Sequence, residues 1–342
     1  MIDVIIPNWN GRTLLEGCLD SLQKQSSRCF RTIVVDNGSS DDSVLFIRQK
    51  YPWVDIVSLP ENMGFSAAVN AGIRASDSTW VLLLNNDVEV EKGCLEYLTR
   101  ICSGSEEYDF FALKMIDFHE RSVIDGAGDC VLRGGVGYRL GTMETDGPIY
   151  RIRKDVFGAC AGAALYRRTL FDSVGLFDET FFAYLEDVDL NLRAVRAGKK
   201  CCYLPDAVIY HIGSASTGSK INSFTVRLST RNNIFVVLKN YGPLLFLRFL
   251  PSFLIYQFFW FLFVLKKRQF AAYLKGLGQS IRHVKIMAVH YKDNKRSSVL
   301  SGKDFGDCIV NSEHQAILSI IRRRAQHGKS SRLLQLYLKL FC

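Results

Sequence analysis

Apolar and polar positions change rhythm three times along this chain of 342 residues. Over residues 1–100, short runs rich in Val and Ile (Val4–Ile6, Thr32–Val35, Ile56–Leu59 and Trp80–Leu84) alternate with amphipathic stretches at Thr13–Gln25, Asp42–Tyr51 and Ser66–Ser76. Runs this short and this apolar predict strands buried on both faces, and the stretches between them carry the helical period. Asp41 and Asp42 are suited to cap the second helix. A βαβα rhythm predicts an α/β fold with a mainly parallel sheet flanked by helices. Ligands in such sheets gather at the carboxyl ends of strands. Polar clusters follow three of the runs there: Pro7-Asn8-Trp9-Asn10, Asp36 to Asp41, and Asn85-Asn86-Asp87.

From 105 to 160 the pattern loosens, and Gly134, Gly135, Gly137 and Gly141 predict hairpins or a mobile loop. Helical spacing returns with Leu185, Val188, Leu192 and Val195. After Tyr241 the rhythm changes again. Leu244–Leu265 is almost wholly apolar and aromatic, and it closes on Lys266-Lys267-Arg268. Its length matches the roughly 20 residues that cross a bilayer.

Charge changes that picture. From Lys220 onward 21 Lys and Arg stand against 4 Asp and Glu, whereas residues 1–219 hold 22 against 30, so the formal net charge of +9 belongs to the last third. A single span would carry this basic tail away from the catalytic side, against the positive-inside tendency. A helix or hairpin lying in the interface, followed by basic amphipathic helices such as Leu333–Phe341, fits better, with a buried core helix as the other reading. Basic residues beside long apolar runs favour an anionic membrane surface over nucleic acid. The division expected is a catalytic domain over residues 1–240 and a helical membrane-associating region over 241–342. Ten cysteines without a C-x-x-C pair predict reduced thiols in a cytosolic compartment. Asp3–Pro7 already reads as a strand, so no leader is expected before the fold.

Candidate chemistry follows the strand ends. Asp36 is placed to accept hydrogen bonds from a nucleoside, or else to cap the turn before Gly38. Asn62-Met63-Gly64 opens a helix reaching Asn70, whose free N–H groups would face an anion. Asp87, with Asn85 and Asn86 beside it, ends the most apolar strand; a carboxylate there calls for solvent or a cation, and Mg²⁺ or Mn²⁺ takes such oxygen ligands. Glu186-Asp187-Val188-Asp189 places three carboxylates at a helix start. One of them, Asp187, is suited to be a general base, because a hydroxyl is a poor nucleophile until its proton is taken. Glu186 would position that base or the acceptor, and Asp189 with Arg193 makes a surface i,i+4 pair. His211 follows another strand-like run and is a candidate ligand to a metal or a diphosphate. Arg231 offers a cation to a departing diphosphate.

The order of these motifs is more specific than any one of them. Asp36, Asn62-x-Gly64, Asn85-x-Asp87, Glu186-Asp187-x-Asp189 and His211-x-Gly213 resemble the series in family 2 glycosyltransferases of the GT-A fold. The rhamnosyltransferase-like branch is most similar, down to NMGFSAAVN at Asn62–Asn70 and FFAYLEDVDLNLR at Phe181–Arg193. The resemblance covers roughly residues 1–240. It implies base and ribose contacts at Pro7 and Asp36, a metal at Asp87 and a catalytic base at Asp187. Asn8, Asn62, Gly64, Asn70, Asn86 and Arg231 are the further candidates for donor contact, with His211 beside the metal and Glu186 beside the base. The resemblance also implies inverting transfer of one sugar, rhamnose or a hexose, from a dTDP- or UDP-linked donor. The basic, apolar last third of the chain predicts a lipid-linked acceptor, a polyprenyl-linked saccharide at the cytoplasmic membrane face. Asn85 departs from the family's Asp-x-Asp. The Gln-x-x-Arg-Trp of processive synthases is missing, which favours single addition. A sugar-nucleotide pyrophosphorylase needs a Gly-rich basic loop where this chain has Asn8–Arg12. An inactive membrane-surface scaffold of the same fold would have no need of Asp87, Glu186 and Asp187 together.

Overall fold

The computed structural model describes residues 1–104, 107–213 and 221–341. Its first half is the predicted alternation: β1 (Ile2–Asn8), α1 (Arg12–Gln23), β2 (Phe30–Asp36), α2 (Ser43–Lys50), β3 (Asp55–Ser58), α3 (Phe65–Ala75) and β4 (Trp80–Leu84). There follow β5 (Val88–Val90), α4 (Cys94–Ser103), β6 (Phe110–Asp117), β7 (Val123–Gly126), β8 (Asp129–Leu132), β9 (Val136–Arg139) and β10 (Glu144–Thr145). Then come β11 (Lys154–Val156), β12 (Ala163–Arg167), α5 (Arg168–Val174), α6 (Glu186–Arg196) and β13 (Cys201–His211). Five helices close the chain: α7 (Ser223–Asn240), α8 (Pro243–Lys266), α9 (Phe270–Arg296), α10 (Gly302–Gln326) and α11 (Arg332–Phe341).

The main sheet runs β10-β7-β6-β12-β4-β1-β2-β3, with β13 lying parallel on β6. β1 pairs in parallel with both β2 and β4, so the chain turns to opposite sides at β1 and leaves a crevice at the strand ends there. Antiparallel β12 then joins β4 to β6 and carries the sheet onward. Val4, Ile6, Val34, Leu82 and Leu84 pack on one face against α1 and α4; Ile5, Ile33, Val35 and Leu83 face α3 and α5. The edge strand β3 departs from the pattern, since Asp55 and Ser58 are exposed and Ile56 and Val57 only half-buried. The Gly-rich passage forms the β8–β9 hairpin, with Gly135 at φ +73° in its turn.

The membrane-type helix α8 is not a buried core helix: only Leu245, Phe249, Ser252 and Val264 are buried along its 24 residues. It is the one helix among the described residues long and apolar enough to cross a membrane. One apolar cluster joins Val131, Phe181, Val188 and Leu192 to Phe249, Met287 and Phe305, so helices on both sides of residue 240 share a core with α6. The Asp189–Arg193 pair, expected at the surface, is buried inside this junction with side chains 0% and 4% exposed. Asp189 also takes Lys239 at 2.8 Å and Asn240 at 2.9 Å. Burial opposes its charge, but Arg193 and Lys239 hold its carboxyl below the ordinary value.

Candidate active site

The crevice at the ends of β1 and β4 opens into a cleft of about 650 Å³. One wall is the predicted set of strand-end residues, Pro7, Asn8, Asn86 and Asp87, with Asn62 and Gly64 from the turn before α3. The opposite wall is Phe182 to Asp187, which leads into α6. Asp87 and Asp187 therefore line one cavity, although a hundred residues separate them in the chain.

Amides knit the first wall. Asn86 donates to Asn8 Oδ1 at 2.8 Å, and Asn37 donates to Asn62 Oδ1 at 3.1 Å and to the Gly64 carbonyl at 3.2 Å. Gly64 has φ +91°, and a Cβ there would lie 2.5 Å from the Phe182 carbonyl oxygen, so the two walls meet only because this residue has no side chain. The same carbonyl accepts from Ser66 N at 3.2 Å, which occupies one of the helix-start amides expected to be free for an anion.

The second wall is held against backbone preference. Phe182, Tyr184 and Leu185 all have positive φ, at 64°, 69° and 67°. Each such non-glycine residue costs about 1–3 kcal/mol and persists only when its surroundings enforce it. The enforcing group is Asn232 of α7, whose amide nitrogen lies 3.0, 2.8 and 2.7 Å from the carbonyl oxygens of Phe181, Ala183 and Tyr184. From the other side Asn191 clasps Ala159, accepting from its N–H at 3.3 Å and donating to its carbonyl at 3.1 Å. This fixes α6 against the cleft floor.

At the floor lies a cluster that the sequence reading passed over. Arg139 donates to Asp125 at 2.5 Å and lies 3.2 Å from Cys160 Sγ. Asp129, Cys160 and Asp187 each bring one ligand atom to within 4.8 Å of the others. Burial and then the neighbouring Asp187 push the Asp129 carboxyl up to about 8. Burial likewise raises Glu186 to about 8, with Asp187 and Asp189 adding to it. Asp187 is raised by burial as well, opposed by the Val188 N–H at 2.8 Å and by Arg139. Burial disfavours the charge on Arg139, but the acids around it keep the guanidinium well above its usual value. Arg139 thus sets one fixed positive charge among these acids. The sequence signal was present in Ile124-Asp125-Gly126-Ala127-Gly128-Asp129, two carboxylates set among small residues.

Groups of the kinds that can ligate a metal converge at the other end. His211 Nε2 lies 3.4 Å from Asp87 Oδ1, and Nδ1 lies 2.8 Å from Asp125 Oδ2. Asp87 Oδ1 is buried without a hydrogen-bond donor. An imidazole anchored through one nitrogen on a carboxylate, with its other nitrogen facing a second carboxylate, is a donor set that fits Mn²⁺ or Mg²⁺. Burial opposes the imidazolium, but Asp125 and Asp87 outweigh it and lift His211 to about 9.

Three of the expected donor contacts lie elsewhere. Asp36 ends β2 opposite Asn8, with Oδ1 buried and unpartnered, yet it does not line the cleft; its neighbour Asn37 does. Asn70 is buried, donating to the Phe177 carbonyl at 2.8 Å and to Glu179 at 2.9 Å, because its helix face packs on the segment after α5. Arg231 also lies outside the cleft lining, donating to the carbonyls of Thr180 at 3.1 Å and Phe181 at 2.7 Å. Asp125, Arg139, Thr142 and Cys160 also line the cleft, at positions that the motif pattern does not mark.

Residues 3–175, half of the chain, match the family model described as Glycosyl transferase family 2. The chain belongs to that family. This glycosyltransferase is 30% identical over 240 residues to the N-acetylglucosaminyl-diphospho-decaprenol L-rhamnosyltransferase of Mycobacterium tuberculosis, a match covering 64% of this chain and 78% of the relative. Among solved structures it is similar to S. aureus TarS 1–349 in complex with UDP-GlcNAc, with TM-score 0.55 and 17% identity over 96% of this chain and 92% of that one. It is also similar to GalNAc-T7 with UDP, GalNAc and Mn²⁺, with TM-score 0.53 and 14% identity over 70% of this chain but only 50% of the other. At these identities the likeness bears on the fold, which is the GT-A glycosyltransferase architecture with a helical C-terminal extension.

Proposed function

We propose that this glycosyltransferase moves a single sugar, rhamnose or a hexose, from a nucleoside-diphosphate donor to a polyprenyl-linked saccharide, with inversion. The observation that carries the reading is that Asp187 and the Asp87–His211 pair line one cleft. The donor's base and ribose would lie along Pro7, Asn8, Asn37 and Asn62, which puts the diphosphate toward Asp87. Asp87 and His211 would hold Mn²⁺ or Mg²⁺, and a divalent cation there supplies positive charge to the departing diphosphate.

Asp187 takes the proton of the acceptor hydroxyl as its oxygen attacks the anomeric carbon from the face opposite the leaving group. The bond to the diphosphate oxygen breaks as the new glycosidic bond forms, and the proton remains on Asp187. Burial raises the Asp187 carboxyl above an ordinary carboxylate, which makes it a stronger base, and the Val188 N–H and Arg139 oppose that rise. Glu186, buried with Oε2 unpartnered, lines the same wall and would accept a second acceptor hydroxyl. The decaprenol in the name of the mycobacterial relative supports a lipid-linked acceptor, and the exposed apolar faces of α8 and α9 support a membrane-surface site of action in cell-surface polysaccharide assembly.

The test pairs Asp187→Asn with nucleotide binding. The variant should lose at least about a thousandfold in transfer, yet keep the thermal stabilisation that UDP or dTDP gives in the presence of Mn²⁺. A folded Asp187→Asn enzyme that still transfers sugar at near the native rate removes the base role. Stabilisation by nucleotide that does not depend on metal removes the Asp87–His211 site.

A further inference from the structure

A second cavity, of about 430 Å³, lies beside the cleft between α7 and the turn from α8 into α9. Among the described residues that line it, three are cationic (Arg227, Arg268 and Lys275) and none is acidic. Among the described residues, none of the three has a carboxylate within ion-pair distance. The starts of two helices border the cavity through Ser223 and Phe224 of α7 and Ala271 and Ala272 of α9, and neither first turn carries an acid. Their dipoles add to the positive field. Close packing sets the geometry: a Cβ on Gly276 would lie 2.6 Å from the Arg227 carbonyl oxygen, so only glycine lets α9 approach α7 this closely.

Two neighbours suggest what enters. Phe224 lines this cavity and the catalytic cleft alike, and its ring lies 6.0 Å from Phe182 and 6.4 Å from Tyr184 of the cleft wall. Leu262 and Leu265 of α8 and Phe270 and Leu274 of α9, on the two helices whose connection forms the pocket, are each 43–49% exposed. The pocket therefore suits a ligand with a multiply charged anion, a saccharide on one side of it and a hydrocarbon chain on the other.

We propose that Arg227, Arg268 and Lys275 bind the diphosphate of the lipid-linked acceptor, its saccharide passing Phe224 into the cleft and its polyprenyl chain leaving along α8 and α9. This rests on the lipid-linked acceptor proposed above. Arg268 and Lys275 are exposed, so Arg268→Gln/Lys275→Gln removes two cations without opening the core.

The probe is farnesyl diphosphate, titrated into the full-length protein saturated with UDP and Mn²⁺ so that the donor site is filled. Native protein should bind it, and the double variant should bind roughly tenfold or more weakly, the effect expected from losing charge-assisted contacts. Equal affinity in the two proteins overturns the proposal, as does binding that UDP abolishes. A variant that loses only its attachment to phosphatidylglycerol vesicles, while holding farnesyl diphosphate normally, also overturns it and makes the pocket a contact for phospholipid headgroups. Transfer assays separate this from the parent reading. If the native enzyme glycosylates only acceptors without lipid, the lipid-linked acceptor fails. If it glycosylates a polyprenyl diphosphate saccharide and the variant's acceptor KM is unchanged, the pocket alone fails.

Discussion

Replacing Asn232 with Ala isolates the strained wall from the chemistry it supports. Asn232 is fully buried and absent from the cleft lining, so any effect on turnover must act through Phe182–Leu185. Its amide brings two hydrogens to three carbonyl oxygens at 2.7–3.0 Å. Losing them forfeits about 1–3 kcal/mol of hydrogen bonding and leaves carbonyls under-satisfied, for roughly 2–4 kcal/mol in all. The three positive-φ residues store a comparable or larger strain, roughly 3–9 kcal/mol at 1–3 kcal/mol each. Removing the clamp therefore lets the wall relax, and Asp187 follows because the wall runs directly into α6. Misplacing a catalytic group by about 1 Å costs on the order of 10²-fold. The expected result is a kcat lowered by about two orders of magnitude, with UDP–Mn²⁺ binding preserved at the other wall. Asn232→Asp, which keeps the shape but turns an acceptor toward three acceptors, should fare no better. A folded Asn232→Ala enzyme whose kcat stays within about twofold of native would show that the wall holds itself and that the clamp argument is wrong.

The carboxylates of the floor make stability depend on pH. Glu186 and Asp129 hold their protons up to about 8 in the native state, whereas the unfolded chain releases them near ordinary carboxylate values. The native state binds more protons across that window, so these groups make stability fall as pH rises toward 8, by at most about 1.4 kcal/mol per pH unit for each. Glu186→Gln should flatten the fall, read as Tm against pH for metal-free protein; an identical slope in the variant would contradict the burial argument. On the outer surface Phe258 and Phe259 are 57% and 63% exposed. Changing both to Ser removes roughly 3 kcal/mol of apolar transfer, so cosedimentation with anionic vesicles should drop about a hundredfold, and unchanged cosedimentation would take α8 out of the membrane contact.

The local elements were legible in the sequence because each is set by short-range periodicity. Val and Ile runs made strands, the stretches between them made helices, and polar residues at the ends of β1 and β4 marked the mouth of the cleft. The order of motifs also reached Asp87, Glu186, Asp187 and His211, which the fold gathers at one cavity. What the sequence could not assign was direction. Asn70 and Arg231 sit at plausible spacings, yet their side chains tie backbone together away from the cleft, since the face a helix turns inward depends on what packs against it. The Asp189–Arg193 spacing predicted the pair but not its burial, because the cover comes from α7, some fifty residues later. Asp125, Asp129, Arg139 and Cys160 meet Asp187 only through the β8–β9 hairpin and the turn before β12. The cationic pocket likewise needs α7 and α9 brought together at Gly276. Periodicity along a chain specifies what each segment is. Which charges meet is decided by packing between segments, and that is where this protein's chemistry is assembled.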